Sequence, residues 1–119
     1  MILTNEIKTE LQNLRNEKDI FDAIFSAMDL IDLNSKNEIV VDDLMETTII
    51  QEHMDKQTHS IISKTRSNMR KMFLSLQDLG LGKWIVGRRG FPSRFALMEG
   101  LLLNDLISGS LPMLEELSA

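Results

Sequence analysis

Thr65-Arg66-Ser67-Asn68-Met69-Arg70-Lys71-Met72-Phe73-Leu74-Ser75-Leu76-Gln77-Asp78-Leu79-Gly80-Leu81 is the stretch on which the fold turns. Together with Ile62, its residues Thr65, Met69, Met72, Phe73, Leu76 and Leu79 recur at helical spacing and fall on one face. Lys64, Ser67, Asn68 and Lys71 fall on the opposite face, with Arg66 and Arg70 on its flank. The spacing predicts a helix over 63–79, closed by Gly80. Such a helix is apolar on one side, and basic and hydrogen-bonding on the other.

Downstream, Lys83-Trp84-Ile85-Val86 has the composition of a strand. Gly87-Arg88-Arg89-Gly90-Phe91-Pro92 is punctuated as a tight connection, and Ser93-Arg94-Phe95-Ala96-Leu97 is suited to the return strand. The unit is a β-hairpin that follows directly on the helix. Leu97 to Ile107 is apolar with helical leanings, Gly109 and Pro112 end regular structure, and the tail runs loosely held to Ala119.

Upstream, Ile20, Phe21, Ile24, Phe25, Met28 and Ile31 predict a helix over 18–32. Asn34-Ser35-Lys36-Asn37 is a turn cluster, and Ile39-Val40-Val41 is a short β-branched run fit for one small strand. Asp42 is placed to cap a helix over 42–62, which Thr47-Thr48-Ile49-Ile50 is apt to break. At the N-terminus Leu3, Ile7, Leu11 and Leu14 form a single narrow apolar stripe on a polar helix over 4–16. So narrow a stripe suits docking on the body of the domain or pairing with a second chain.

The formal net charge is −5, which as a total speaks against a nucleic-acid partner. Resolved along the chain it says something else. Residues 1–55 carry 4 basic and 13 acidic side chains, residues 56–95 carry 9 basic and 1 acidic, and residues 96–119 carry 4 acidic and none basic. The single acid of the basic block is Asp78. An exposed helix face is normally charged, which accounts for any one of these residues alone. A block so one-signed speaks for an anionic partner.

This order resembles the winged helix-turn-helix superfamily over residues 18–97: an apolar helix, a short β-like run, a helix, a second helix with a basic face, a glycine, and a basic hairpin. The segment 65–81 resembles a recognition helix leaving through a leucine, three residues, glycine and leucine, and the resemblance implies Thr65 as its N-cap. Residues 86–95 resemble a wing. The fold expected is mainly α with a small β-hairpin, a winged helix-turn-helix extended by N-terminal (1–17) and C-terminal (98–119) helical segments. What the resemblance implies is sequence-directed binding of double-stranded DNA, as in a small transcriptional regulator. The helix at 63–79 then enters the major groove and presents Lys64, Arg66, Ser67, Asn68, Arg70 and Lys71 to phosphates and base edges. The wing at 83–97 sends Arg88 and Arg89 to the minor groove or the backbone, where Arg94 also meets phosphate. The stripe Leu3, Ile7, Leu11, Leu14 and the run Leu101-Leu102-Leu103 with Leu106 and Ile107 are candidate homodimer surfaces or, equally, intrachain packing. The runner-up, from a different class, is a winged-helix adaptor whose basic face meets an acidic protein, of the plasmid-partition or phage-inhibitor kind.

Other chemistry is poorly represented. There is no cysteine, hence neither a disulfide framework nor a thiolate site. His53-x-Asp55-x-x-x-His59 has the residue types of a metal site, but its histidines are six apart, which puts them on different faces of one helix. The adjacent pairs Asp42-Asp43 and Glu115-Glu116 diverge on a helix and make no catalytic dyad. No phosphate-binding glycine loop, nucleophile elbow or dinucleotide fingerprint occurs. The expectation is a binding protein and not an enzyme, with no cofactor. No apolar run is long enough to span a bilayer, and the first residues lack a signal-peptide pattern. A cytoplasmic, nucleoid-associated place is therefore expected.

Overall fold

The computed structural model describes residues 3–112. Among them, six helices pack around a small sheet: α1 (Asn5–Glu17), α2 (Asp19–Met28), β1 (Glu38–Val40), α3 (Val41–Glu46), α4 (Thr48–Met54), α5 (His59–Asp78), β2 (Gly82–Ile85), β3 (Arg94–Leu97) and α6 (Leu103–Gly109). The expectations for the tail beyond Pro112, including Glu115-Glu116, lie outside the described residues.

Both strand pairings are antiparallel, in the order β1-β3-β2. The expected hairpin is thus present, and β1 adds a third strand to it, with Ile39 opposite Phe95 and Trp84 opposite Phe95 on the other edge. Phe95 is fully buried and stacks on Phe73 of α5 at 5.1 Å, while Phe73 stacks on Trp84 at 5.8 Å. This aromatic column fixes α5 against the sheet.

Several boundaries differ from the sequence expectation: α3 begins at Val41 with Val40 at its cap position, so Asp42 lies inside the helix and does not cap it, and four further differences have a local reason. First, α2 ends at Met28, because the Asp29 N–H closes it onto Ala27 and Ser26 and the chain leaves the axis. Second, the helix expected over 42–62 is two short ones. Thr47 adopts an extended backbone, caps α4 by accepting from the Ile50 N–H, and donates its own hydroxyl to the Leu44 carbonyl at 2.7 Å. The expected break at the Thr47-Thr48 step is found there.

Third, α5 begins at His59, and its cap is Thr58, whose hydroxyl accepts from the Ile61 N–H. Thr65 is therefore not the cap: it lies buried in the second turn and donates to the Ile61 carbonyl at 2.9 Å. Fourth, the apolar run after β3 turns at 98–102 before α6 starts, and Asp105 accepts from the Leu102 N–H across the first turn.

The exit of α5 matches its sequence signature. Gly80 sits at φ +78, a conformation open to glycine, and its N–H reaches the Gln77 carbonyl at 2.9 Å. The Leu81 N–H reaches the Leu76 carbonyl at 3.1 Å, and both leucines are buried. That is the Schellman closure, with its accompanying apolar contact.

The terminal segments are part of one core. Leu3, Leu11 and Leu14 are buried with Ile24, Phe25, Leu76, Leu101 and Leu106, and Ile7 packs against them. The α1 stripe is thus spent on intrachain packing, the second of the two uses weighed from sequence, and so are Leu101 and Leu106. Arg15 reinforces the junction: it meets Asp22 at 2.7 Å, Ser26 and Ser110 at 2.9 Å each, and lies over the Phe25 ring. No helix among the described residues is long and apolar enough to cross a membrane.

Candidate nucleic-acid interface

One side of α5 is buried through Thr65, Met69, Met72, Phe73 and Leu76. The 3.6-residue period therefore turns the remaining side outward, and Ser63, Lys64, Arg66, Ser67, Arg70 and Lys71 are all exposed. Asn68 is half-buried.

This outward face is divided by a crest at Ser67, which borders two depressions. On one flank Lys64, Ser67, Asn68 and Lys71 line an open groove of about 700 Å³ shared with Lys18 and Asp19 of the α1–α2 junction and with His53, Asp55 and Lys56 at the end of α4. On the other flank Ser63, Arg66, Ser67 and Arg70 line a cleft of about 320 Å³ with Val41, Trp84 and Ser93.

The hairpin tip is a separate cationic point. Arg88 and Phe91 exchange backbone hydrogen bonds at 2.9 and 2.7 Å, and Gly90 at φ +74 makes the turn between them. Its neck is tied where the Ser93 hydroxyl accepts from the Gly87 N–H at 2.8 Å. Arg88 and Arg89 are exposed, and so are Val86 and Phe91 beside them.

Of the nine residues singled out from sequence, five cations are exposed and form no ion pair among the described residues: Lys64, Arg70, Lys71, Arg88 and Arg89. Arg66 is exposed but meets Asp42 at 2.8 Å, a pairing worth about 0–1 kcal/mol and easily exchanged. Ser67 and Asn68 complete the α5 surface.

Arg94 is different. Its guanidinium reaches the Glu38 carboxylate at 3.2 Å and the Pro92 carbonyl at 3.1 Å, so it is engaged at the base of the hairpin and only partly exposed. Glu38 is buried, and its other carboxylate oxygen accepts from the Asn34 side-chain amide at 2.9 Å. That hydrogen bond, then the Arg94 contact, hold its carboxyl below the ordinary value against the opposing pull of burial.

Sequence reasoning missed several neighbours of this surface. Ser63 stands three, four and seven residues before Arg66, Ser67 and Arg70, a visible helical spacing, but a helix expected to begin at 63 leaves Ser63 at its edge. Trp84 was legible only as a strand residue. Its indole N–H is buried without a hydrogen-bond partner among the described residues, a state that costs about 1–3 kcal/mol. Asn34 and Glu38 carried no signal of their role, because their partner Arg94 is distant in sequence. His53 and His59 lie on different helices, one near the end of α4 and one opening α5, so the face argument applied to a helix that does not exist. Among the described residues no group of three potential metal ligands gathers.

Comparison of the chain with protein-family models, with curated proteins and with solved structures finds no match.

Proposed function

We propose that this protein is a winged helix-turn-helix binder of double-stranded DNA, acting as a small transcriptional regulator in the nucleoid. In this reading α2, α3–α4 and α5 form the helical motif, α5 is the recognition helix, and β2 and β3 with their connection form the wing. The observation that carries it is the set of five exposed cations, without an ion pair among the described residues, spread over the outward face of α5 and the hairpin tip. The support is physical: a helix that presents Lys, Arg, Ser and Asn fits the width and donor requirements of the major groove. A narrow arginine tip beside it suits the neighbouring minor groove or backbone. The acidic segments, α1–α3 above all, hold the net charge negative and oppose loose association.

The homodimer on a palindromic site remains part of the proposal, with its contact surface elsewhere than the buried α1 stripe. The adaptor reading is kept for one reason: Val86 and Phe91, 62% and 68% exposed beside Arg88 and Arg89, also suit an acidic protein surface. Fluorescence anisotropy with mixed-sequence duplexes at low salt decides between them. The DNA reading requires binding whose affinity falls steeply with salt as counterions are released. Absence of any duplex binding at low salt overturns it in favour of the adaptor.

A further inference from the structure

The cleft between α5 and the hairpin has a chemical bias that the neighbouring groove lacks. The 700 Å³ groove includes Asp19 and Asp55 among its lining residues. The 320 Å³ cleft has none: its polar side chains are the guanidinium groups of Arg66 and Arg70, the hydroxyls of Ser63, Ser67 and Ser93, and the indole of Trp84. Every one of these offers a proton. The Ser63 and Ser67 hydroxyls make no hydrogen bond among the described residues, and Ser93 already accepts from the Gly87 N–H, which leaves its own proton to give. The Trp84 N–H is buried with no hydrogen-bond partner among the described residues. A concavity whose polar side chains all carry a donor, two of them cations, with no carboxylate among its lining residues, is complementary to an oxyanion.

Asp42 supplies a second observation. Its carboxylate sits on the Arg66 guanidinium at 2.8 Å, both side chains being about half exposed, so one of the cleft's two arginines already holds an oxyanion. An incoming phosphate competes with that carboxylate for the same guanidinium.

We infer that the cleft bounded by Arg66, Arg70, Ser63, Ser67, Ser93 and Trp84 is a phosphate seat, with Asp42 as the internal anion that a phosphate displaces. The inference rests on the DNA reading for the source of the phosphate, a backbone phosphodiester gripped between α5 and the wing. The chemistry alone equally admits a free phosphate group. In either case Arg70 is the primary charge, because it forms no ion pair among the described residues.

Trp84 is the only tryptophan, so its emission reports on the cleft directly. The test titrates the full chain with a labelled duplex and, separately, with inorganic phosphate at constant ionic strength, following Trp84 emission and duplex anisotropy. The seat predicts that the duplex shifts Trp84 emission. Arg70→Gln weakens duplex binding about tenfold and lowers the salt slope by about one, and Trp84→Phe, which keeps the ring stack on Phe73, weakens it severalfold. Asp42→Asn tightens binding, an outcome that misfolding cannot imitate.

Duplex binding that leaves Trp84 emission unmoved, with Arg70→Gln and Trp84→Phe within twofold of wild type, overturns the seat while the DNA reading stands. An Arg70-dependent response to inorganic phosphate with no duplex binding overturns the DNA reading and keeps the seat for a free phosphate. Silence in both titrations overturns both.

Discussion

Arg94→Ala is the substitution that best separates a DNA contact from a structural support. From sequence Arg94 belonged with Arg88 and Arg89 as a phosphate contact. In the structure its side chain is 22% exposed and pairs with Glu38, whose side chain is 8% exposed. Truncating it leaves a buried carboxylate with Asn34 as its remaining side-chain partner. Removing one member of a fully buried pair costs about 3–5 kcal/mol, and the partial exposure of Arg94 lowers that to about 2–3 kcal/mol. For a chain of 119 residues the unfolding entropy is about 0.25 kcal/mol/K, so the melting midpoint should fall by about 8–12 °C. The assay is thermal unfolding by circular dichroism at neutral pH, beside the double variant Arg88→Ala/Arg89→Ala, which should melt within about 2 °C of wild type because both side chains lie in solvent. Glu38→Gln in the Arg94→Ala background should recover part of the loss, since it removes the buried charge. An Arg94→Ala protein that melts like wild type yet binds duplex poorly would refute the supporting role and return Arg94 to the interface.

Three further outcomes are expected. Arg88→Ala/Arg89→Ala should weaken duplex binding uniformly across sequences and lower the salt slope by about two, whereas Asn68→Ala should change the ranking of sequences, both measured by anisotropy. Because the folded Glu38 carboxyl sits below its ordinary value of 4.5, its stabilising contribution is present at neutral pH and is lost as pH falls through that value and on to the depressed one. Wild type should therefore lose more of its melting temperature on acidification than Glu38→Gln does, and parallel pH curves would contradict this. Leu11→Ala should cost about 2–5 kcal/mol of stability without changing the mass seen by light scattering, since Leu11 is buried within the chain; a change in oligomeric state instead would restore α1 to an interface.

Some features of this protein follow from local sequence alone. Leu76 with Gly80-Leu81 dictates the end of α5, because only a residue tolerant of positive φ lets the two closing hydrogen bonds and the leucine contact form together. The outward set Lys64, Arg66, Ser67, Arg70 and Lys71 follows from helical period, and the arginine tip from a glycine turn flanked by strand-forming residues. These are short-range properties, settled within a turn or two of backbone. Three others were settled by the tertiary structure. Thr58 and Thr65 both have cap chemistry, and the choice between them depends on where the chain leaves α4, at Asp55 with φ +42. The α1 stripe had two equivalent uses until α2 and α6 closed over it. Arg94 could not be told from Arg88 by its neighbours in sequence, because its fate is set by Glu38, which lies 56 residues earlier and meets it only when β1 pairs with β3. Local spacing thus determined which residues face outward, and only long-range strand pairing decided which of those cations remain free to meet an anion.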